Sequence, residues 1–486
     1  MDDKLIFVPN QYELKKERLL GPSLDCEVTY KEYLLIPYCA NPVNADYQSM
    51  NVYVPVAVDG VETDISDAPV LIDNHLGAYK STNLQAENAG IFPGPGGQER
   101  RGNHGDPRGH GGPSGAADDS RRKKYDKPFS RLYYALSRGI VVVTPGARGR
   151  DNVNEDGTFF GKAPAAIVDL KAAVRYIRHN RDTFPGNVDK IFSNGNSAGG
   201  AMSALLGASG DYPGYESYLS EIGAAQESDS IMGTICHCPI MDLDHSDAAY
   251  EWMFGKYPGR DGTLEDQTKS EELADIYADY LRELNLQGRN GYGTLTADNL
   301  GEYIVKEFML SSADRYLNED LGPEERDDYL RKNPWIQWDG RHADFHFDAL
   351  TAHIGRMKAL GSFDGSRTGE MTVFGNRFVD GRHYTEFGAR QEDPKGKVEP
   401  EVQELVKLMN PMFFVRTDNP GCCKHWYLCV GSKDPHTSHS VSAVFQTLLE
   451  NKGMDSSLVY LWDYGHVCDD DPVEMIDWIW KVAQNG

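Results

Sequence analysis

The chain predicts an α/β fold, a mostly parallel sheet covered by helices on both faces and interrupted by a mainly helical insertion. Three observations carry this. Short apolar runs of strand character alternate with amphipathic helical stretches up to residue 238 and again from residue 411. Between those positions the alternation stops, and the chain becomes helical and charged. Finally, Gly195-Asn196-Ser197-Ala198-Gly199 stands between a β-prone run and a helical one, the setting of a sharp strand-to-helix turn.

The expected core strands are 52–58, 69–73, 140–144, 188–193, 232–236, 426–430 and 458–463. Between them Ile167, Leu170, Val174 and Ile177 recur at helical spacing. Val441, Val444, Phe445, Leu448 and Leu449 do the same, with Gly453 as a stop signal. Pro472 opens a last helix whose apolar face holds Ile476, Ile479 and Trp480. The insertion contains helical patterns at 265–284 and 300–316. The predicted division is therefore a core in two parts, 1–238 and 411–486, around a cap at 239–410 that excludes water and shapes a pocket. Residues 93–124 are rich in glycine and locally basic, unable to bury enough to fold alone, and read as a mobile surface loop. The chain has no internal repeats.

A formal charge of -25 argues against nucleic acid and anionic membranes as partners. No apolar run approaches the roughly 18 residues of a membrane span. The start, Met1-Asp2-Asp3-Lys4-Leu5, has acids where a secretory signal needs bases, so a cytoplasmic protein is expected. Eight cysteines are scattered without a C-x-x-C pair. Cys236-His237-Cys238 resembles a ligand cluster but ends an apolar run, which favours buried free thiols. The vicinal Cys422-Cys423 is expected to be reduced.

The turn at Ser197 points to nucleophilic chemistry. It strains the serine and exposes its hydroxyl. Gly195 and Gly199 leave room for close backbone, and the following helix N-terminus favours a developing anion. A serine hydroxyl needs a base, and the base an orienting acid, in the chain order Ser, Asp or Glu, His when the fold is an α/β-hydrolase. His466 lies just beyond the last expected strand and Asp434 just beyond the one before. The rivals fit less well. His425 starts a strand, at the wrong end of the sheet. His436 and His439 are too close to Asp434 in sequence for the usual order. Asp463 and Asp469 are rival acids, but Asp463 lies on the strand that carries the base, where pointing back at His466 is awkward. Two backbone N–H groups are needed for the oxyanion: Ala198, and Gly77 in the loop after strand 69–73, with Ala78 next. Gly109-His110-Gly111-Gly112 looks like an oxyanion motif but sits in low-complexity sequence, so it reads as a decoy. The chemistry calls for no metal or organic cofactor.

Several segments resemble bacterial tannases. They are Gly146-Ala147-Arg148-Gly149-Arg150, 163–176, Gly195 to Gly200, Cys238-Pro239-Ile240, Ala249-Tyr250-Glu251-Trp252, Arg356-Met357-Lys358-Ala359 and Lys424-His425-Trp426. The resemblance covers most of the chain, cap included, but not residues 93–124. It implies an α/β-hydrolase that cleaves galloyl esters, with Ser197, Asp434 and His466 as the triad. It also implies that Lys358 and Glu370 hold the hydroxyls of the acyl ring. An ammonium donates to such hydroxyls and a carboxylate accepts from them. The family's second aspartate, two residues after the triad acid, is here His436. An imidazole lacks that charge and bidentate reach, which implies a relaxed preference for the fully hydroxylated ring. The fungal pattern of cysteines beside the serine and histidine is absent, since Asn196 and Val467 stand there. The expected partner is a small phenolic ester. The alternatives are a feruloyl or other phenolic-acid carboxylesterase and, more remotely, a non-catalytic α/β-hydrolase binding module.

Overall fold

The computed structural model describes residues 3–21, 24–85, 131–365, 368–466 and 472–485. The glycine-rich segment 93–124, the decoy within it, Val467 and Asp469 lie outside the described residues.

Ten strands among the described residues form one sheet. They are β1 (Glu13–Gly21), β2 (Leu24–Pro37), β3 (Ser49–Val58), β4 (Val61–Glu62), β5 (Val70–Asp73), β6 (Val141–Pro145), β7 (Ile191–Asn196), β8 (Gly233–His237), β9 (His425–Gly431) and β10 (Asp455–Leu461). Their order is β1-β2-β3-β6-β5-β7-β8-β9-β10, with β4 paired to β3. Pairing is antiparallel from β1 to the β3–β6 pair and parallel from β6 to β10. All seven expected strands are present, within about three residues at each end. The β1–β2 hairpin was not expected. Glu13, Lys15, Lys16, Glu17 and Arg18 give β1 the look of surface chain, and charge is what protects an exposed sheet edge.

Successive residues of the parallel strands point to opposite faces. Val70, Ile72, Val141, Val143, Ile191, Trp426, Leu428 and Val430 join one apolar cluster, while Leu71, Val142, Phe192, Ile235, Tyr427 and Cys429 join another. The second face is covered by α1 (Arg131–Ser137) and α7 (Val473–Asn485), and the first by α2 (Ala165–His179), α3 (Ala198–Ala208) and α6 (His439–Asn451). Helix α2 is buried almost all round. Its Asp169 carboxylate is gripped by the Arg148 guanidinium and by Gln48.

The chain leaves the sheet after β8 and returns to it at β9. Between lie α4 (Ser246–Phe254), α5 (Gln267–Leu284) and shorter helices. The side chain of Asp266 caps α5 by accepting the N–H groups of Thr268 and Lys269. The helix expected at 300–316 runs on to Asp320, with wide π-type turns at Val305–Met309 and Tyr316–Asp320. Tyr277 of α5 and Leu300, Tyr303 and Phe308 of this stretch share the first apolar cluster of the sheet, so the insertion is packed into the core.

Candidate active site

The turn after β7 holds Ser197 at φ 58° and ψ -123°, a conformation that costs of order 1–3 kcal/mol for a residue with a Cβ. The glycines around it are sterically required. A Cβ on Gly195 would meet the Gly199 carbonyl oxygen at 2.3 Å, and one on Gly199 would meet the Asn74 amide oxygen at 2.8 Å. Ser197 N–H donates to the His237 carbonyl at 2.9 Å, which ties the turn to β8. Asn74, buried just after β5, braces it from the other side. Its amide donates to the Asn194 and Gly199 carbonyls and to the Ser203 hydroxyl.

His466 Nε2 lies 2.8 Å from Ser197 Oγ, and His466 Nδ1 lies 2.9 Å from Asp434 Oδ2. The loops after β9 and β10 make this possible because they are stitched together. Ser432 N–H donates to the Leu461 carbonyl and Lys433 N–H to that of Tyr464, and a Cβ on Gly431 would strike the Gly465 oxygen at 2.0 Å. The Asp434 side chain is fully buried and that of His466 is 20% exposed. Burial alone would raise the Asp434 pKa. The adjoining His466, with its hydrogen bond, and the His436 N–H at 2.8 Å outweigh burial and hold it at about 2. The carboxylate is therefore ionised, so Nδ1 donates to it and Nε2 is left to accept from Ser197.

The rival residues are elsewhere or otherwise engaged. His425 opens β9 and pairs with Asp455 at 2.7 Å. Asp463 bonds to Lys433 and Tyr329. His439 is buried at the start of α6 against Tyr460. His436 stacks on His466 with ring centroids 4.0 Å apart. Burial, the neighbouring His466 and Lys358 lower its pKa to about 4 against the opposing pull of Asp434, which leaves a neutral imidazole at neutral pH.

Ala198 is the first residue of α3, and Gly77 follows β5 in a loop where Ala78 and Tyr79 have positive φ. A Cβ on Gly77 would meet no described atom within 4 Å. Arg150 fastens this loop. Its Nε donates to the Ala78 carbonyl and its Nη1 to Thr372 Oγ1, in the short helix that carries Glu370.

Lys358 is half-buried, with its ammonium 3.6 Å from the Phe363 ring centre. Burial lowers its pKa, while Glu370, Asp247 and Asp434 act in the opposite direction. The lysine is thus within the field of both the expected ring glutamate and the acid that faces His466. Three residues that fix Lys358 escaped the sequence reading. Arg356, fully buried, forms a two-pronged pair with Glu251 and donates from Nε to the Lys358 carbonyl at 2.8 Å. The Tyr250 hydroxyl accepts the N–H groups of Met357 and Lys358. All three lie in the segments that carried the family resemblance, which was the available signal.

Two clusters of described residues have donor types suited to a cation. Asp242, Asp244 and His245 follow β8, where the imidazole bonds Asp242 at 3.0 Å and the Asn410 amide reaches both carboxylates. Burial opposes charging of His245, but the two carboxylates raise its pKa to about 10, so an imidazolium already neutralises much of that cluster. The other cluster joins Cys238 to Asp434 and His466. No described cysteine forms a disulfide, and Cys238, buried in the second apolar cluster, also lies close to Asp434 and His466.

A sharp serine turn and an opposed imidazole and carboxylate, all at the C-terminal ends of parallel strands, define an α/β-hydrolase. A family model described as BD-FAE matches residues 151–272, a span that includes Ser197. No curated protein matches the chain in sequence. Among solved structures, a tannase from Fusobacterium nucleatum is 30% identical with a TM-score of 0.78, and the match covers 99% of both chains. Two structures of tannin acyl hydrolase, in complex with 3,4-dihydroxybenzoate and with ethyl gallate, are each 28% identical over 99% of both chains. Their TM-scores are 0.81 and 0.80. The chain belongs to the bacterial tannase family and is a carboxylic ester hydrolase. No helix among the described residues is long and apolar enough to cross a membrane.

Proposed function

We propose that this protein hydrolyses galloyl and related polyhydroxybenzoyl esters through an acyl-enzyme on Ser197. The observation that carries the reading is the unbroken hydrogen-bond chain from Asp434 through His466 to the strained Ser197 hydroxyl. His466 takes the serine proton as Oγ attacks the ester carbonyl, and Asp434 orients the imidazole and stabilises its charged form. The N–H groups of Ala198 and Gly77 receive the oxyanion. His466 then protonates the leaving alcohol, and water, activated by the same imidazole, releases the acid. In this reading the cap spans 239–410 and contributes Lys358 and Glu370, which hold the ring hydroxyls as donor and acceptor.

His436 completes the ring side. Where the resemblance implies a carboxylate, this chain presents a neutral imidazole stacked on the base. That substitution removes a negative acceptor for one ring hydroxyl, so the preference for gallate over less hydroxylated acyl groups is relaxed. The complexes with 3,4-dihydroxybenzoate and ethyl gallate support an aryl acyl site in this family.

The test is hydrolysis of methyl gallate, methyl protocatechuate, methyl 4-hydroxybenzoate and methyl ferulate, with Ser197→Ala as control. Turnover of gallate and protocatechuate at similar rates, abolished in Ser197→Ala, is the expected result. A preference for ferulate would move the enzyme to another phenolic specificity, and an active Ser197→Ala would remove the serine from the chemistry.

A further inference from the structure

Cys238 follows β8 directly, at the strand end that faces the proposed acid and base. It is fully buried, and its N–H donates to the Cys429 carbonyl at 2.7 Å. Its sulfur, a carboxylate oxygen of Asp434 and a ring nitrogen of His466 all lie within 4.8 Å of one another. These donors come from three separate strand ends, β8, β9 and β10. Thiolate, imidazole and carboxylate are the ligand types of zinc, at about 2.0–2.3 Å from the ion. Ligands arranged tetrahedrally at those lengths sit roughly 3.3–3.8 Å apart, so small side-chain rotations close the cluster around one ion.

We propose that Cys238, Asp434 and His466 form an inhibitory site for a thiophilic divalent cation of the zinc class. The inference rests on the assignment of Asp434 and His466 to the proton relay of hydrolysis. On binding, the Cys238 thiol releases its proton to solvent, the neutral imidazole keeps its single proton on the ring nitrogen that does not coordinate, and the sulfur, the carboxylate oxygen and the unprotonated ring nitrogen each donate an electron pair to the ion. Thiolate and carboxylate together balance the two positive charges, which makes the complex neutral in a buried setting. Coordination engages the imidazole and diverts the carboxylate that orients it. The base can then no longer take the Ser197 proton, and hydrolysis stops. The Asp242, Asp244 and His245 cluster differs in offering no sulfur and in holding its own imidazolium.

Two measurements test this. In the first, zinc chloride is titrated into turnover of the wild type and of Cys238→Ser, with EDTA added at the end. The wild type is expected to lose activity and to recover with chelator. Cys238→Ser is expected to turn over normally without zinc and to need about tenfold more zinc, or above, for the same inhibition. In the second, cadmium chloride is added and the thiolate-to-cadmium charge-transfer absorbance is read. It should appear in the wild type and in Ser197→Ala and weaken by one site in Cys238→Ser, with Cys238→Ala as the substitute if the serine variant misfolds. An insensitive wild type, equal zinc inhibition of both proteins, or equal cadmium absorbance in both would each overturn the proposal. Failure of the relay assignment shows separately, as turnover by Ser197→Ala, because the absorbance reports the ion whether or not the enzyme is active.

Discussion

Replacing Tyr250 with phenylalanine removes one oxygen atom and three hydrogen bonds at the point where the insertion meets the proposed acid loop. The Tyr250 hydroxyl accepts from Met357 N–H at 3.1 Å and Lys358 N–H at 3.0 Å, and donates to the Pro435 carbonyl at 3.2 Å. The residue is 1% exposed, so water does not readily replace the lost oxygen. Each orphaned buried N–H costs roughly 1–3 kcal/mol. With local relaxation the variant should lose about 2–4 kcal/mol of stability, a fall in melting temperature of about 2–4 °C for a chain of this length. The same change frees the backbone of Lys358. If the ammonium donates to a ring hydroxyl, that charge-assisted bond contributes about 1.5–3 kcal/mol, and kcat/KM on methyl gallate should fall about 10–100-fold. Methyl benzoate has no ring hydroxyl and should suffer only what reaches Asp434 through Pro435. Calorimetry and paired kinetics on the two esters are the assay. An unchanged melting temperature together with an unchanged gallate-to-benzoate ratio would show that the Tyr250 hydroxyl neither stabilises the fold nor holds Lys358, and equal losses on both esters would separate Tyr250 from the ring site.

Other outcomes follow from the same geometry. Lys358→Ala should lower kcat/KM on hydroxylated benzoyl esters about tenfold or more and leave methyl benzoate nearly unchanged; parallel losses would take Lys358 off the ring. Arg356→Met strips the partner from Glu251, which is 1% exposed. Denaturant melts should show a loss of about 3–5 kcal/mol, and a loss below about 1 kcal/mol would contradict the buried pair. Asp434 is held at about 2, below the usual aspartate value of about 3.9. A lowered pKa stabilises the fold above the unfolded value and ceases to do so as pH falls through the folded one. The contribution is roughly 2 kcal/mol, present above about pH 4 and lost towards pH 2. Asp434→Asn should therefore flatten the acid limb of the stability profile, and an identical slope in both proteins would disprove the linkage.

Much of the architecture was legible because it is governed by local pattern. The parallel strands are buried on both faces and read as short apolar runs, and α6 carries its stop at Gly453, where φ is 71°. The serine turn was legible for a steric reason, since only glycine tolerates the approach of Gly199 to Gly195. The β1–β2 hairpin was not, because a charged edge strand has no apolar face to betray it and acquires its identity only by pairing with β2. The brace from Asn74 to Ser203 spans 129 residues, and the Arg356–Glu251 pair spans 105, so neither leaves a periodic trace.

Local sequence alone specifies an α/β-hydrolase with a serine turn, and it puts the proposed acid and base after the last two core strands. Those features depend on alternation, on glycine sterics and on chain order, all of which are properties of neighbouring residues. Three-dimensional packing stitches the β9 and β10 loops closely enough to set His466 between Asp434 and Ser197, stacks His436 on His466, and brings the Cys238 sulfur close to Asp434. Each of these requires strand ends far apart in the chain to converge at one edge of the sheet. Packing and pairing between strands set that convergence, and no short stretch of sequence encodes it.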